Sequence, residues 1–455
     1  MTSTEFSCVA ENKFAELIKM ANSEVPRKVF ISEPNPTEFL ASFIAAVGAG
    51  CQVFLCNPNW GKLEWEEVLN LVQPDIILGN ILKDKFLGGG WEKMSGFSRD
   101  NSCQITLPTE PNLIMIPTGG SSGKVKFAIH TWETLISSVR GFQEYFLVQQ
   151  INSFCVLPLY HVGGLMQFLR SFITGGNFVI LPSYKDIFDH KAWNIKLDEF
   201  FISLVPTQLQ NLLQNAEIAD WLSDFQTVLL GGAPGWAELF DAARKYQVKL
   251  APTYGMTETA SQVATLKPED FLRGNNSNGR VLPHATIIVQ GEGGEILGLN
   301  QIGNLSIKAN SLALGYYPHI FYSSEGLLTD DLGFFDSQGY LKIVGRSSEK
   351  IISGGENVFP AEVEAAILAT GLVHDVCVIG LADKYWGEVV TAVYVGNNFA
   401  VSREVLLAAI DGKLHKFKQP KYWLKVDSLP RNSQGKINRE LLKEIAVHRN
   451  LEVRI

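Results

Sequence analysis

A chain of 455 residues is too long for one ordinary hydrophobic core, so we expect two or three domains. Its 46% hydrophobic and 19% charged residues are typical of a globular protein, and its net charge of −8 argues against a nucleic-acid-binding protein, which usually carries a basic face. The six cysteines are scattered without C-x-x-C pairs, so they predict neither a zinc site nor a disulfide framework.

The first apolar stretch, residues 39–56, is about as long as the shortest membrane span. Gly48-Ala49-Gly50 interrupts it and a turn follows it, so we predict a buried helix over residues 38–47 and a buried strand over residues 53–56. Residues 1–19 lack a basic segment followed by an apolar core. We therefore expect no signal peptide, no membrane span and a cytoplasmic protein.

Helix-like and strand-like segments then alternate along the chain. The predicted helices cover residues 63–71, 132–146, 162–174 and 238–246. The predicted strands cover residues 76–78, 113–116, 153–157, 178–181, 201–205 and 227–230. This alternation is typical of a largely parallel sheet covered by helices, which is the α/β class.

The pattern changes after about residue 279, where short strands are separated by Gly and Asn turns. It predicts a small antiparallel subdomain over residues 279–346 and an α+β arrangement beyond it. The helices and strands predicted for this last part cover residues 361–368, 405–414, 376–380 and 389–395. We therefore predict a large N-terminal domain, residues 1–346, and a small C-terminal domain, residues 347–455.

A glycine-rich stretch, Thr118-Gly119-Gly120-Ser121-Ser122-Gly123-Lys124-Val125-Lys126, follows the predicted strand 113–116. Glycine lets backbone N–H groups turn towards an anion, hydroxyl groups add donors, and lysine supplies positive charge. The stretch therefore predicts a loop that holds a polyphosphate, with a plain Gly/Ser linker as the alternative. Its spacing differs from the GxxxxGK[ST] pattern, which argues against a P-loop kinase or ATPase.

Two polar clusters follow predicted strands, at the edge where open α/β sheets bind ligands. Residues 254–259 (YGMTET) combine a ring that can stack on a base, hydroxyls that can bond phosphate and a carboxylate that can hold Mg²⁺. Residues 329–333 place two carboxylates in a turn, and an aspartate can accept both ribose hydroxyls. Each cluster is also typical of an ordinary solvated loop.

Two flexible segments lie later in the chain. Residues 345–357 carry several glycines at the predicted domain junction, where a hinge needs large changes of backbone angle. Residues 430–439 form a basic polar loop, in which Lys436 could reach a phosphate or simply face water.

Taken in order, these segments resemble the core motifs of the adenylate-forming superfamily, which contains acyl-CoA and aryl-CoA synthetases, luciferases and the adenylation domains of peptide synthetases. The match covers about residues 110–440 and rests on at least five motifs in the right order. Within the superfamily, residues 157–165 (LPLYHVGGL), 254–265 (YGMTETASQVAT) and 353–360 (SGGENVFP) are most similar to the o-succinylbenzoate–CoA ligases of menaquinone and phylloquinone biosynthesis.

The resemblance implies that the chain binds ATP, Mg²⁺ and CoA. The β- and γ-phosphates are assigned to Thr118, Gly119, Gly120, Ser121, Ser122, Gly123 and Lys126. The adenine side of the nucleotide site is assigned to Gly232, Ala233, Pro234, Tyr254 and Gly255. Thr257 would bond the α-phosphate and Glu258 would coordinate Mg²⁺. Asp331 would hold the ribose with help from Arg346.

The resemblance also implies two half-reactions. A carboxylate attacks the α-phosphorus of ATP with help from Lys436 and gives an acyl-adenylate and pyrophosphate. The C-terminal domain, mobile in this family, then rotates about Ser348 and brings the loop at Gly354 and Gly355 to the CoA tunnel. The CoA thiolate finally displaces AMP.

Fewer residues are assigned to the acyl pocket than to the nucleotide site. His161 is a candidate to contact the acyl substrate, with a buried structural histidine as the alternative. Ser261 and Gln262 could bond a ketone or a second carboxylate. Arg170 could pair with a carboxylate, with an ordinary surface arginine as the alternative.

The chain departs from the family pattern at four positions. Val125 and Phe127 flank the loop lysine where the family usually has Pro and Gly, Asp330 replaces a glycine, and Ser348 replaces the usual hinge Asp or Lys. The function implied is an aromatic keto-acid–CoA ligase, most similar to those acting on o-succinylbenzoate. A ligase for another aryl or fatty acid and a non-catalytic nucleotide-binding paralogue are the alternatives.

Overall fold

The computed structural model describes residues 3–20, 26–79, 112–119, 125–181, 183–192, 195–320, 326–396, 402–431 and 437–453. Two mixed β-sheets with helices packed against them form most of the N-terminal part, and a smaller antiparallel sheet follows them. The last part contains a further sheet with its own helices. This arrangement confirms the predicted α/β class with an antiparallel subdomain and an α+β C-terminal part.

The first sheet contains the strand that leads into the glycine-rich stretch. Its strands are β1 (Lys28–Ile31), β2 (Gln52–Leu55), β3 (Ile76–Leu78), β4 (Ile114–Gly119), β5 (Val125–His130), β15 (Gly315–Tyr316) and β16 (His319–Ile320), in the order β16-β15-β5-β4-β2-β1-β3. Strands β1 to β4 pair in parallel, as predicted. Strand β5 was not predicted, and it pairs antiparallel with both β4 and β15.

The second sheet carries the other predicted nucleotide-binding segments. Its strands are β6 (Asn152–Cys155), β7 (Phe178–Ile180), β8 (Phe200–Leu204), β9 (Thr227–Leu230), β10 (Leu250–Met256), β11 (Ser261–Thr265) and β12 (Arg280–Val281), in the order β12-β11-β10-β9-β8-β6-β7. Strands β6 to β10 are parallel, whereas β11 turns back antiparallel to β10. The polar cluster 254–259 lies at this turn.

The N-terminal part carries several helices, some of which begin at a capping residue. They are α1 (Ser3–Met20), α2 (Pro36–Gly48), α3 (Lys62–Leu71), α4 (Trp132–Phe146), α5 (Val162–Thr174), α6 (Pro206–Leu213), α7 (Ala216–Ser223), α8 (Ala237–Lys245) and α9 (Pro268–Leu272). The Asn35 side chain caps α2 by accepting from two backbone N–H groups, and Thr131 and Thr134 form a capping box at α4. The bounds of α4 and α5 coincide with the prediction.

Both faces of the first sheet are buried, which explains its nearly continuous apolar strands. Val29 and Ile31 face a core shared with α2, α4 and α5, and Phe30 faces a second core with Phe54 and Phe127. The run 39–56 forms α2 and β2, as predicted. Across the residues that the structure describes, no helix combines the length and the apolarity that crossing a membrane requires.

The antiparallel subdomain and the last part use separate sheets. The third sheet has the order β13 (Ala285–Gln290), β14 (Gly303–Ala309), β17 (Leu327–Phe335) and β18 (Leu341–Arg346). The fourth contains β20 (Glu356–Val358), β19 (Ile351–Ser353), β22 (Gly387–Gly396), β21 (Val373–Asp383) and, beside β22, β23 (Tyr422–Lys425). The helices beside it are α10 (Pro360–Leu368), α11 (Arg403–Ile410) and α12 (Arg439–Val453).

Candidate active site

The two ends of the predicted phosphate loop lie on β4 and β5, which pair as a β-hairpin. Thr118 pairs with Lys126, and Gly119 pairs with Val125, in the antiparallel register of β4 and β5. Val125 and Lys126, predicted as loop residues, therefore lie in a strand, because the backbone bonds of the hairpin continue up to them. The remaining predicted phosphate-binding residues lie outside the described residues, and they are Gly120, Ser121, Ser122 and Gly123.

Phe127, one of the departures from the family pattern, anchors this hairpin. Its side chain is fully buried, and its ring makes edge contacts with Phe54 and Trp60 at centroid distances of 5.3 and 6.3 Å. The larger side chain therefore fixes the arm of the hairpin in the core while the neighbouring Lys126 remains exposed.

The Thr257–Glu258 turn, residues 257–258, follows a bulge between β10 and β11 at Tyr254 and Gly255. A Cβ atom at Gly255 would lie 2.1 Å from the Ser261 carbonyl oxygen, so only glycine fits this close approach. Ala260 and Ser261 then adopt left-handed backbone angles, with φ of 50° and 85°. Such strained backbone clusters at functional sites and redirects the chain into β11.

The Thr257–Glu258 turn is held by the first sheet at both of its residues. His130 Nε2, on β5, lies 2.8 Å from the Thr257 carbonyl oxygen, and the Ala313 N–H donates to the Glu258 carbonyl at 2.8 Å. The Tyr316 hydroxyl, on β15, donates to Glu258 Oε1 at 2.5 Å. The phosphate-loop hairpin and the predicted metal ligand are therefore joined through side chains of one sheet.

Burial lowers the pKa of His130 to about 4, so the ring is neutral near pH 7 and donates from Nε2 to the Thr257 carbonyl. Because the folded state then binds fewer protons than the unfolded state, stability falls as the pH drops below about 6.5. We expect a loss of about 1.4 kcal/mol per pH unit between pH 6.5 and 4 from this histidine. Urea unfolding at several pH values measures it, and an unchanged slope in His130→Gln would contradict the neutral buried form.

The nucleotide side of the site contains a hydrogen-bonded triad. The Tyr254 hydroxyl donates to Asp331 Oδ2 at 2.9 Å, and Arg346 Nε lies 3.3 Å from Asp331 Oδ1. Burial and the Asp331 charge together raise the pKa of Tyr254 well above its usual range, so the phenol stays protonated. These three predicted nucleotide-binding residues therefore lie together, although Tyr254 and Asp331 are 77 residues apart in sequence.

The exposed Gly232, Ala233 and Pro234 follow β9, which is paired with β10. Gly232 has a φ of 82°, a left-handed angle that favours glycine at this loop. This loop therefore follows β9, and Tyr254 lies on the neighbouring strand β10. That position is consistent with the assignment of the loop to the adenine side.

The acyl-site candidates Arg170, Ser261 and Gln262 are also brought together. Arg170 Nη2 donates to Gln262 Oε1 at 3.0 Å and to Ser261 Oγ at 3.3 Å, and its guanidinium stacks on the Phe142 ring at 4.3 Å. Only 2% of Arg170 is exposed, so the surface alternative is wrong. Burial lowers its pKa to about 9, and burial and the nearby guanidinium lower the pKa of His284 to about 4.

Within the described residues, no carboxylate pairs with the Arg170 guanidinium, and its Nε has no hydrogen-bond partner there. A buried charge is normally paired, because leaving water costs several kcal/mol. The arrangement therefore suits an anionic group of a ligand.

His161 lies at the N-cap of α5, half-buried, with its ring centroid 4.6 Å from that of Tyr160. Arg170 lies on the same helix nine residues later, which corresponds to about 14 Å along the axis. One helix thus carries two of the four acyl-site candidates, His161 at its start and Arg170 in its third turn.

The hinge candidate contacts another departure from the family pattern. The Ser348 N–H donates to Asp330 Oδ1 at 3.0 Å, and the Ser348 hydroxyl donates to Asp330 Oδ2. Gly354 and Gly355 form the turn between β19 and β20 with φ of 60° and 84°. Lys436 lies outside the described residues.

Glu258 fits a magnesium site that is completed by a nucleotide. Within the described ranges, no three His, Cys, Asp or Glu side chains form a cluster that could hold a metal ion alone. Mg²⁺ in phosphate-transfer sites commonly uses one or two carboxylates together with phosphate oxygens and water. A single half-buried carboxylate beside a phosphate-loop hairpin matches that donor set.

His130 and Tyr316 make contacts with the Thr257–Glu258 turn that were not predicted from the sequence. His130 is 127 residues from Thr257, and Tyr316 is 58 residues from Glu258. The alternation of Val125, Phe127 and Ile129 was a signal for strand β5, and with it for a histidine at the strand end.

Comparison with known proteins identifies the family. The AMP-binding enzyme family matches residues 10–317, and the AMP-binding enzyme C-terminal domain matches residues 362–436. A 2-succinylbenzoate–CoA ligase of Bacillus cereus is 31% identical over 360 residues, which are 78% of this chain and 74% of that protein.

Solved structures agree in fold. The o-succinylbenzoate CoA synthetase of Bacillus subtilis in complex with the acyl-adenylate intermediate OSB-AMP has a TM-score of 0.83 at 26% identity, over 97% of this chain and 93% of that chain. The same enzyme in complex with ATP and a magnesium ion has a TM-score of 0.80 at 25% identity, over 97% and 94% of the two chains. The chain therefore belongs to the AMP-binding enzyme family.

Proposed function

We propose that the chain is an AMP-forming acid–CoA ligase that converts o-succinylbenzoate, ATP and CoA into o-succinylbenzoyl-CoA, AMP and pyrophosphate. This activity would place it in menaquinone or phylloquinone biosynthesis. The relatives with that name and the synthetase bound to OSB-AMP support the proposal.

Arg170 is buried and has no carboxylate partner among the described residues, and this observation carries the substrate class. o-Succinylbenzoate has two carboxylates, and only one of them is activated by ATP. The second carboxylate supplies the anion that the guanidinium lacks, and Ser261 and Gln262 fix the fork of the arginine towards it. A plain fatty acid or benzoate has no second carboxylate and would leave the buried charge unpaired.

The first half-reaction is assigned to the end of β10 and the adjoining hairpin. The substrate carboxylate attacks the α-phosphorus, a P–O bond to the leaving pyrophosphate breaks, and acyl-adenylate forms. Thr257 bonds the α-phosphate, and Lys436 is assigned to the charge that develops there. When bound at Glu258, Mg²⁺ supplies positive charge that offsets the charge on the phosphate oxygens.

The other nucleotide contacts follow the same assignment. The hairpin from Thr118 to Lys126 holds the outer phosphates, Tyr254 and the loop 232–234 line the adenine, and Asp331 with Arg346 holds the ribose. The hydrogen bonds from Tyr254 and Arg346 fix the Asp331 carboxylate, which supports this role.

The second half-reaction is assigned to the C-terminal domain. We place the domain boundary between residues 346 and 347, because β18 ends the third sheet at Arg346 and β19 begins the fourth at Ile351. Rotation about Ser348 then exchanges Lys436 for the Gly354–Gly355 turn, residues 354–355. The CoA thiolate attacks the acyl carbon, and AMP leaves.

We also propose a cytoplasmic location. The described cysteines form no disulfide, and four of them are buried thiols, namely Cys51, Cys56, Cys155 and Cys377. Unpaired buried thiols are usual in a reducing compartment.

The experiment is a substrate panel. Release of AMP and pyrophosphate is measured with Mg-ATP, CoA and one acid at a time: o-succinylbenzoate, benzoate or a medium-chain fatty acid. We expect turnover with o-succinylbenzoate alone. Turnover with another acid in its place would contradict the substrate, and no pyrophosphate with any acid would contradict the ligase.

A further inference from the structure

We propose that Tyr316 is a positioning residue that fixes the Glu258 carboxylate for the magnesium–ATP complex and couples it to the phosphate-loop hairpin. The inference rests on the proposed role of Glu258 as the metal ligand. Tyr316 lies outside every segment assigned to nucleotide binding.

Tyr316 lies between the two groups that it would connect. Its backbone pairs with Ala128 of β5, the second arm of the hairpin. Its hydroxyl donates to Glu258 Oε1 at 2.5 Å, and the Lys126 ammonium lies 5.7 Å from its ring centroid. One side chain therefore contacts both the predicted metal ligand and a lysine of the predicted phosphate site.

The hydrogen bond suits a carboxylate that must also bind a cation. The Tyr316 phenol carries one O–H donor, and a carboxylate oxygen is its acceptor. A phenol occupies one lone pair of Oε1 and leaves Oε2 and the other lone pairs available. Because a free glutamate side chain samples many rotamers, this bond holds the carboxylate ready before the cation arrives.

The backbone supports the same arrangement. The Ala313 N–H donates to the Glu258 carbonyl at 2.8 Å, and Ala313 lies three residues before Tyr316. The segment that includes both residues thus fixes Glu258 at its main chain and at its side chain. Strand β15 therefore links the hairpin to the carboxylate.

The test is the Tyr316→Phe variant, which keeps the ring beside Lys126 and removes only the hydroxyl. ATP binding is measured by isothermal titration calorimetry at a series of Mg²⁺ concentrations and in EDTA. We expect the Mg²⁺ concentration for half-maximal binding to rise about 10-fold to 100-fold, the range for a hydrogen bond to a charged group. Binding of ATP in EDTA is expected to remain unchanged.

Tyr317→Phe is the matched control. Tyr317 is the next residue, and its buried ring makes an edge contact with Phe54 at 5.1 Å, in the second core. We expect this variant to keep the wild-type Mg²⁺ requirement. An equal loss of ATP binding in EDTA and in Mg²⁺ for Tyr316→Phe would overturn the inference.

A double-mutant cycle with Glu258→Gln separates the inference from the proposed function. If Tyr316 acts through Glu258, Tyr316→Phe adds no further change in the Glu258→Gln background. An effect that persists there would overturn the inference. If Glu258→Gln raises the Mg²⁺ requirement and Tyr316→Phe does not, the inference alone is overturned. If Glu258→Gln itself has no effect, the proposed metal role is overturned together with it.

Discussion

Replacing Arg170 by methionine is expected to reduce the preference for a diacid strongly while leaving the fold intact. The two substrates to compare are o-succinylbenzoate and 4-oxo-4-phenylbutanoate, which lacks only the ring carboxylate. We expect wild type to prefer the diacid by about 10²–10³-fold in kcat/KM, because truncating one partner of a buried charge pair costs about 2–5 kcal/mol. In Arg170→Met the preference is expected to fall below about 10-fold.

Stability distinguishes this role from a structural one. Arg170 is buried without an anion among the described residues, so an apolar side chain of similar length is expected to keep or raise the melting temperature. Arg244 is the matched control, since its guanidinium also stacks on a phenylalanine ring, that of Phe271, at 4.3 Å. Unlike Arg170, it pairs with a carboxylate, that of Asp241, and it also donates to the Phe271 and Asn275 carbonyls. Arg244→Met is expected to lose stability and keep the substrate preference; the same pattern in Arg170→Met would refute the carboxylate role.

Replacing Glu258 by glutamine is expected to slow the first half-reaction about 10²–10³-fold at saturating substrates, the usual effect of removing one group that stabilises developing charge. The amide keeps the shape of the side chain and loses the anion that holds the cation. Pyrophosphate release with o-succinylbenzoate across a range of Mg²⁺ concentrations measures the loss.

The second half-reaction supplies the internal comparison. Thioester formation from chemically supplied acyl-adenylate needs no pyrophosphate to leave, so we expect Glu258→Gln to retain most of it. Glu133→Gln, at an exposed position in the first turn of α4, is the control and is expected to behave as wild type in both assays. Equal losses in the two half-reactions would contradict the metal role.

Regular helices and buried strands could be predicted from the sequence because their patterns are local. The bounds of α4 and α5 coincide with the prediction, since Thr131 and a helix-ending Gly175 punctuate them. Strand β5 was missed, because the glycines and serines that mark a phosphate loop also conceal the start of the strand after it. The α/β class and the order of the motifs did not depend on that boundary.

The site was predictable only as separate segments. The burial of Arg170 could not be inferred, because α5 packs within the shared core and buries consecutive residues from Gly164 to Ser171 instead of a single face. A helix covered on several sides loses the amphipathic pattern that identifies its inner face. The bonds from His130 and Tyr316 span 127 and 58 residues, and no periodicity in one sequence encodes such pairs.

The contact between Asp330 and Ser348 couples two departures from the family pattern. The Ser348 hydroxyl donates to the Asp330 carboxylate, so both side chains contribute to one interaction. An aspartate at position 348 would face the Asp330 carboxylate with like charge, and a glycine at position 330 would remove the acceptor for the serine. The effects of exchanging the two residues are therefore expected to be non-additive in a double-mutant cycle.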